Sequence, residues 1–267
     1  MDVAQRRTAI EEQVIRTGEV SFVELAESFG VSEMTIRRDI EALQTQGIVR
    51  RVSGGAIALS GTAFEPSYGL RAGRAADSKE HIAEEVAALL RPGETVLFDS
   101  GSTVLAIARA VRGRGLRLTV LTPSIGVAQE LADEPDTQVL LIGGLVRPGE
   151  LSLIGPDAEQ MIGRYNCDTY IAGVAGVDAE RGLTEYHPQE ASVKQAAVRA
   201  STRVIVGVEA AKLGRVHLVT VAPLTVVSTL VTDASSDHPT VVAARAGGAD
   251  VVVVPAPHPI ASRGETA

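Results

Sequence analysis

The chain has 267 residues, 45% of them hydrophobic, which is enough for one large domain or two smaller ones. No apolar run reaches the roughly 18 residues of a membrane span, the first residues lack the apolar region of a signal peptide, and a single cysteine excludes an internal disulfide. These absences lead us to expect a soluble, cytoplasmic protein without a membrane partner. The net charge of −8 argues against nonspecific coating of nucleic acid.

The first 30 residues predict two short helices. Residues 4–17 carry Ile10 and Val14 in a polar background and end at Gly18, as a surface helix does. Ser21 and Glu24 match a capping box at the start of a second helix, which runs to about residue 28. The glycine at position 30 then provides a turn, so the pattern favours a helix-turn-helix.

The third predicted helix, residues 31–43, divides into two faces. Ile36, Ile40 and Leu43 recur at i, i+4 and i+7 and form an apolar stripe. Arg38 points almost directly away from that stripe, and Ser32 is placed to accept a hydrogen bond from the first turn as its N-cap. This division is typical of a recognition helix that enters the major groove of DNA.

A basic hairpin follows the third helix. Residues 48–52, 53–55 and 56–59 predict a strand, a tight turn and a second strand, which is the pattern of a β-wing. A small helical domain with an incidental hairpin is the alternative. Residues 1–58 carry a net charge of −2, but phosphate binding depends on the electrostatic field near the arginines rather than on this sum. The predicted DNA-binding residues are Ser32, Met34, Thr35, Arg37, Arg38, Arg50 and Arg51.

The remainder predicts a second domain. Residues 1–59 form the winged helix-turn-helix domain in this reading, 60–78 a linker without a clear period, 79–255 an α/β domain, and 256–267 a disordered tail. Continuous β-branched runs alternate with helical segments in residues 79–255, which indicates a mostly parallel sheet covered on both faces. Strands are predicted at 95–98, 118–121, 138–142, 168–174, 203–208, 226–231 and 251–254, and helices at 79–90, 104–112, 124–132, 157–163, 190–200 and 239–246.

Ligands of such sheets bind at loops that leave the carboxyl ends of strands. The loop Asp99, Ser100, Gly101, Ser102 and Thr103 lies between a predicted strand and a predicted helix. Its hydroxyls and the N–H groups of the helix start suit a phosphate or another anion, although a plain N-capping turn is the alternative. Asp99 is placed either to accept from a sugar hydroxyl or to hold the loop.

Two further strand ends carry candidate ligand residues. Gly143 and Gly144 follow one strand with Arg147 close behind, and Lys212 follows another. A plain turn and a solvated lysine are the respective alternatives. Only three residues are lysine, at 79, 194 and 212, which codon bias explains but which makes each one worth locating. Glu190 and Lys194, four residues apart, predict a surface ion pair.

The order of these features resembles the DeoR/GlpR family of bacterial transcriptional regulators over residues 5–233. The segment from Val31 to Ile40, Val-Ser-Glu-Met-Thr-Ile-Arg-Arg-Asp-Ile, looks like the family's signature, and Gly-Gly-Ala of the wing follows at 54–56. The further matching segments are Glu65–Tyr68, Arg71, Lys79–Ala83, Asp99–Thr103, Thr119–Thr122, Gly143–Gly144, Gly173–Asp178, Gly182–Thr184 and Thr232–Asp233.

The resemblance implies a winged helix-turn-helix coupled to a sugar-phosphate-sensing α/β domain related to ribose-5-phosphate isomerase and CoA transferases. It implies a homo-oligomeric repressor of a carbohydrate or nucleoside catabolic operon, with double-stranded operator DNA and a small-molecule effector as partners and no cofactor. The effector would bind at Asp99, Ser100, Gly101, Ser102, Thr103, Gly143, Gly144 and Lys212.

Three positions depart from the family's pattern. Ser53 replaces the usual histidine of the wing, and Pro123 replaces an asparagine after the second sensor strand. Glu209-Ala210-Ala211-Lys212-Leu213 stands where the family has Asp, Ser or Thr, Ser, Lys and Phe. The lost hydroxyls and the longer acid change the effector pocket, so the identity of the effector does not follow from the resemblance.

Three functions are compatible with the residues. A sequence-specific regulator accounts for the basic helix face and wing. A sugar-phosphate isomerase with an accessory DNA-binding domain would need a general base and an electrophile, and beyond Asp99 and Lys212 no second acid–base residue is evident. A pure assembly protein gives no reason for the basic surface. We therefore expect a regulator without enzymatic activity and without a metal site, since the five histidines are scattered.

Overall fold

The computed structural model describes residues 2–45, 48–58, 62, 64–73 and 75–255, and the chain divides into two units, Met1–Arg74 and Ala75–Ala267. Within the described residues, no helix combines the length and the apolar character needed to cross a bilayer. The predicted disordered tail, 256–267, lies outside the described residues.

The N-terminal unit consists of helices around a small antiparallel sheet of strand order β1-β3-β2. Its helices are α1 (Val3–Thr17), α2 (Phe22–Phe29), α3 (Glu33–Thr45) and α4 (Tyr68–Gly73), and its strands are β1 (Glu19–Ser21), β2 (Val49–Val52) and β3 (Gly55–Ala58). The predicted helix-turn-helix and wing are confirmed. Strand β1 was not predicted, because three residues between two helices show no period of their own.

The core of this unit includes the predicted stripe of α3, since Ile36, Ile40 and Leu43 are buried. An acid lies on the same face. The carboxylate of Asp39 is buried and accepts from the Arg6 Nε at 2.7 Å and from the Arg7 Nε at 2.8 Å. Helix α1 is therefore tied to α3 by charge as well as by apolar packing.

The predicted capping box at the start of α2 is wrong. Ser21 is the N-cap residue, but its side chain makes no capping hydrogen bond. The reason is that Ser21 belongs to β1 and pairs with Gly55, while the backbone N–H of Phe22 donates to the Gly54 carbonyl at 2.9 Å. The wing thus satisfies the N–H of the first residue of α2, while the Ser21 side chain caps none of the N–H groups of this helix. A capping box does occur in α1, between Asp2 and Gln5.

The segment predicted to be an irregular linker contains regular structure. Its residues 68–73 form α4, and residues 76–78 begin the first helix of the second unit. The Glu11 carboxylate of α1 accepts from the Ser67 N–H at 3.1 Å and from the Ser67 hydroxyl at 2.9 Å, and Leu70 is buried. These contacts join α4 to α1, so the N-terminal unit extends beyond the predicted boundary at residue 59.

The second unit is built on a seven-stranded parallel sheet of order β15-β14-β12-β9-β4-β5-β6. Its strands are β4 (Thr95–Phe98), β5 (Thr119–Thr122), β6 (Gln138–Leu141), β9 (Cys167–Ala172), β12 (Ser201–Val208), β14 (Thr229–Thr232) and β15 (Asp250–Val253). Its helices are α5 (Ala76–Ala88), α6 (Ser102–Val111), α7 (Ile125–Leu131), α8 (Pro156–Ile162), α9 (Pro188–Arg199) and α10 (Pro239–Ala246). The predicted parallel α/β domain is confirmed.

Two antiparallel additions were not predicted. The hairpin of β7 (Leu145–Val146) and β8 (Leu153–Ile154) follows β6, and a small sheet combines β10 (Gly176–Asp178), β11 (Gly182–Glu185) and β13 (Val219–Ala222). These strands have two to four residues, too few for a period of two to stand out. Residues 210–212 and 224–226 are short 3₁₀ turns.

The strand order places a topological switch point between β4 and β9. From β4 the chain proceeds outward through β5 and β6, and after the hairpin it returns to β9 on the other side of β4 and continues through β12, β14 and β15. Connections leave β4 and β9 in opposite directions, so a crevice opens beyond their carboxyl ends. This crevice is where the predicted loop 99–103 begins.

We predict that Asp39→Ala loosens the N-terminal unit by about 2–4 kcal/mol, because Arg6 loses its partner while it is still largely buried. Amide hydrogen exchange of α1 and α3 in the full chain measures this loss. Glu41→Ala, an exposed acid two residues along the same helix, is the control. Equal exchange in the two variants would show that the Asp39 pairs do not stabilise the unit.

Candidate functional site: a DNA-facing helix and a sensor crevice

The predicted N-cap of α3 is present. The Ser32 hydroxyl accepts from the Thr35 backbone N–H at 3.2 Å and lies 3.0 Å from the Thr35 hydroxyl oxygen. The next turn exposes Met34 and Arg38, as the helical period predicts. The start of α3 is therefore stabilised by two polar residues, and its exposed surface is formed by others.

Two arginines of the predicted DNA-binding set converge on one aromatic ring. The Arg37 guanidinium lies 4.6 Å from the centroid of the Phe22 ring, and that of Arg51 lies 5.7 Å from it. Arg37 also pairs with Glu33 at 3.3 Å. Cation–π contact on Phe22 joins α3 to the wing and holds two positive charges on one side of the unit. This role of Phe22 was not predicted, because its contacts come from residues distant in the chain.

The remaining wing arginine, Arg50, is exposed. The structure shows no hydrogen bond or ion pair between its guanidinium and another described residue. The backbone N–H of Arg51 donates to the Gln44 Oε1 of α3 at 3.0 Å, which fixes the wing against the helix. Six of the seven predicted residues thus lie on α3 and β2, on adjoining elements of one unit, and Ser32 directly precedes α3.

In the second unit, Asp99 follows β4 at the switch point and is buried. Its Oδ2 accepts from the Tyr170 hydroxyl at 2.6 Å, from the Gly173 N–H at 2.9 Å and from the Lys194 Nζ at 2.8 Å. Its Oδ1 accepts from the Ser100 N–H at 2.8 Å. Of the two roles predicted for Asp99, this geometry supports the one in which it holds the loop.

The predicted surface ion pair between Glu190 and Lys194 is wrong, because both residues are buried. The Lys194 ammonium instead contacts Asp99, the Gly173 carbonyl at 3.0 Å and the Glu185 Oε2 at 3.4 Å. Burial alone would lower the pKa of Lys194, but the negative charges of Asp99 and Glu185 raise it above its ordinary value. Lys194 is therefore a fixed positive charge inside the sensor unit.

The Tyr170 hydroxyl remains a proton donor in this network. Burial, and after it the charge of Asp99, raises the pKa of Tyr170 well above its usual value. Tyr170 lies on β9, Asp99 follows β4 and Lys194 belongs to α9, so one hydrogen-bonded cluster joins three elements. The sequence singled out Asp99 and Lys194 separately, but no period or motif indicated that they contact each other or Tyr170, because the three are far apart in the chain.

Glu190 connects α9 to the β7–β8 hairpin. Its Oε1 accepts from the Ser152 hydroxyl at 2.6 Å and lies 3.0 Å from the Arg147 Nη1. Burial would raise the pKa of Glu190, but the positive charges of Lys194 and Arg147 lower it below its ordinary value. A narrow crevice lies between these elements, and it is lined by Asp99, Ser100, Pro123, Ser152, Leu153, Ile154, Glu190, Val193 and Lys194.

The start of α6 borders this crevice through the predicted loop. Gly101 is the N-cap residue and has φ +111°, a conformation that favours glycine. Thr103 is 5% exposed, and its Oγ1 has no hydrogen-bond partner among the described residues. A buried hydroxyl left unsatisfied at a helix N-terminus is a feature that a polar ligand would complete.

Lys212 lies at the same edge of the sheet and is not a freely solvated lysine. Its Nζ donates to the Val174 carbonyl at 3.1 Å and lies 3.4 Å from the Glu209 Oε2. The Glu209 Oε1 lies 3.4 Å from the Nζ of buried Lys79. Burial would raise the pKa of Glu209, but the charges of Lys212 and Lys79 lower it. Glu209, where the family has aspartate, thus links two lysines.

The scarce lysines share a location. Lys79 contacts Glu209 after β12, Lys194 contacts Asp99 after β4, and Lys212 contacts Val174 after β9. Each ammonium therefore lies at the carboxyl edge of the parallel sheet. Of the three, only Lys212 belongs to the predicted effector set.

Gly143 and Gly144 do not line the crevice. They follow β6 and lead into the hairpin, where a Cβ at Gly144 would lie 2.7 Å from the Ile154 carbonyl oxygen. Gly144 has φ +148°, so close backbone packing explains this residue. The residues that the hairpin brings to the crevice are Ser152, Leu153 and Ile154, and the sequence did not single them out.

Two family models match the chain. The DeoR-like helix-turn-helix domain matches residues 6–62, and the DeoR C-terminal sensor domain matches residues 74–234. Together they span the α3 and wing surface and the sheet with its carboxyl-edge crevice.

Named relatives match most of the chain. It is 34% identical over 234 residues to the HTH-type transcriptional regulator GlpR of Haloferax volcanii, covering 88% of this chain and 91% of that protein. It is 33% identical to the glycerol-3-phosphate regulon repressor of Escherichia coli, covering 88% of this chain and 92% of that protein. Among solved structures, ribose 5-phosphate isomerase A of Methanocaldococcus jannaschii matches 52% of this chain and 54% of its own, with 15% identity and a TM-score of 0.39.

We predict that Asp99 and Lys194 are energetically coupled. Asp99→Asn should lower the free energy of unfolding by about 2–4 kcal/mol and Lys194→Met by about 3–5 kcal/mol, because each leaves a buried charge without its main partner. The double variant should lose about 1–3 kcal/mol less than the sum. Urea unfolding of the four proteins measures the coupling.

Glu180→Gln, which removes an exposed acid of the same unit, is the control and should leave stability nearly unchanged. Additive losses in the double variant would show that the 2.8 Å contact between Lys194 and Asp99 does not stabilise the fold.

Proposed function

The chain belongs to the DeoR family of transcriptional regulators, and on this premise we propose that it represses a carbohydrate catabolic operon until a phosphorylated sugar or polyol binds its sensor unit. The relatives named as regulators and repressors support DNA-binding regulation of transcription as its function. The observation that carries the effector half of the proposal is the unsatisfied Thr103 hydroxyl at the start of α6.

For the DNA half, α3 would enter the major groove with Arg38 facing the base edges. Arg37 and Arg51, held on Phe22, and exposed Arg50 would contact phosphates. Because residues 1–58 are net −2, one copy would bind weakly, and we infer that a homo-oligomer places two units on two half-sites.

For the sensor half, a phosphate or similar anion would accept hydrogen bonds from the Thr103 hydroxyl, the flanking serines and the first N–H groups of α6. Lys212 would add a positive charge at the neighbouring strand end. A relative's name, glycerol-3-phosphate regulon repressor, favours a small phosphorylated polyol as the first candidate. Pro123 and Glu209, which depart from the family's pattern, would narrow the pocket and so distinguish the effector from those of relatives.

An isomerase activity would require a free base in the crevice. Both oxygens of Asp99 accept hydrogen bonds from the protein, and Lys194 is held charged by its neighbours, so this geometry favours a structural role for both residues over proton transfer with a substrate. We therefore propose that the crevice binds its ligand without turnover. Binding would then act by favouring one of two oligomer arrangements, of which one fits the operator.

The DNA half predicts different defects for two exposed arginines. Arg38→Ala should lower operator affinity by about 1–3 kcal/mol and leave binding to random DNA nearly unchanged, because a base contact is lost. Arg50→Ala should weaken binding to operator and random DNA alike, because a phosphate contact is lost. The slope of the logarithm of the binding constant against the logarithm of the salt concentration should fall by about one per copy. Fluorescence anisotropy with operator and random duplexes at several salt concentrations measures both effects. If Arg38→Ala weakened both duplexes equally, Arg38 would be a phosphate contact.

The sensor half predicts that Thr103→Val keeps the fold and operator binding but loses response to the effector, since only the hydroxyl is exchanged for a methyl group. A panel of polyol and sugar phosphates, glycerol 3-phosphate first, raises the melting temperature of the parent when one of them binds the folded state. The variant should need about tenfold more of that ligand. Thr202→Val, at the opposite edge of the sheet, should respond as the parent does. An unchanged response of Thr103→Val would remove Thr103 from the site.

A further inference from the structure

One large apolar side chain lies exposed within the polar surface of α3. Met34 is 60% exposed, although it lies in the first turn of the helix that would face DNA. An apolar group at a site otherwise formed by arginine and hydroxyl groups gains nothing from contact with phosphate. It needs an apolar surface on the partner.

The neighbours of Met34 are already engaged within the unit. Ser32 and Thr35 bond to each other as the N-cap, and Ile36 is buried in the core. Glu33 and Arg37 pair at 3.3 Å, and the Arg37 guanidinium lies on the Phe22 ring.

Arg38 is also exposed, and no hydrogen bond or ion pair with a described residue holds its guanidinium. Within residues 32–38, the side chains left open to a partner are thus Met34 and Arg38. They are four residues apart, so they lie side by side on one face of the helix.

The major groove presents only one apolar group, the C5 methyl of thymine, and arginine binds guanine through O6 and N7. We propose that Met34 packs against a thymine methyl while Arg38 binds a guanine, so that each operator half-site contains this pair of bases. The two residues are separated by ~6 Å along the helix axis. Successive bases rise by about 3.4 Å, so the thymine lies within two base pairs of the guanine. This inference rests on the proposed function, because it specifies the DNA that α3 reads.

The test begins with sites selected by the full chain from a random duplex pool. In a selected site, each thymine within two base pairs of the required guanine is replaced by deoxyuridine, which removes only the methyl group. Loss of that contact should weaken parent binding about threefold in one half-site and about tenfold in both. Met34→Ala should bind the thymine and deoxyuridine sites equally.

Val23→Ala is the control, because Val23 of α2 is 49% exposed in the same unit and is not assigned to the DNA contact. It should retain the full effect of the methyl group. The inference would be overturned if the parent bound every deoxyuridine site as tightly as the thymine site. It would also be overturned if Met34→Ala still bound the thymine site more tightly than the deoxyuridine site. Failure to select any site would contradict the proposed function itself, which separates the two failures.

Discussion

The contact of the Lys194 ammonium with the Asp99 carboxylate is the constraint on which the sensor unit depends. A charge in a protein interior must be paired and hydrogen-bonded, since an unpaired one costs several kcal/mol. Lys194 meets this requirement by contacting Asp99, Glu185 and the Gly173 carbonyl. Asp99 follows β4, Glu185 is the last residue of β11, and Gly173 follows β9. One buried cation therefore fixes the carboxyl edge of the sheet at the switch point.

This constraint separates the residues that hold the crevice from those free to bind. The charged groups of Asp99 and Lys194 are engaged in hydrogen bonds and ion pairs within the unit, next to the loop that leads into α6. Thr103, the second residue of α6, retains a hydroxyl without a partner among the described residues. The same division occurs in the DNA-binding unit, where Phe22 holds Arg37 while Arg38 remains open. In both units, the residue proposed to meet a ligand lies close to side chains that are held by charge or by cation–π contact.

The sequence predicted most of the architecture, because periods and caps are local. The stripe of α3, the Ser32 cap and the alternation of strands and helices are confirmed, and they place loop 99–103 at the end of β4. The resemblance to a regulator family is confirmed by matches over both units. Of the predicted effector residues, Asp99 and Ser100 line the crevice. The assignment of the others remains a prediction that the crevice lining does not support, namely that of Gly101, Ser102, Thr103, Gly143, Gly144 and Lys212.

The failures were of one kind. The spacing of Glu190 and Lys194 suggested a surface pair, but burial depends on how α9 packs against the sheet, which spacing does not contain. The Ser21 cap failed because Ser21 belongs to β1, where it pairs with Gly55, a wing residue distant in sequence. Tyr170 and Ser152 were missed because contacts between distant segments leave no local pattern. The chain did not reveal these contacts between distant segments, nor α4 and the short strands β1, β7, β8, β10, β11 and β13.

Amide hydrogen exchange of the operator-bound protein tests most directly whether ligand binding at the start of α6 controls DNA binding. The ligand is the sugar or polyol phosphate that raises the melting temperature most. The predicted result is protection of the amides of residues 100–104 at the same ligand concentrations that release the operator. Release of the operator without any change in exchange at these residues would contradict the assignment and place the controlling site elsewhere.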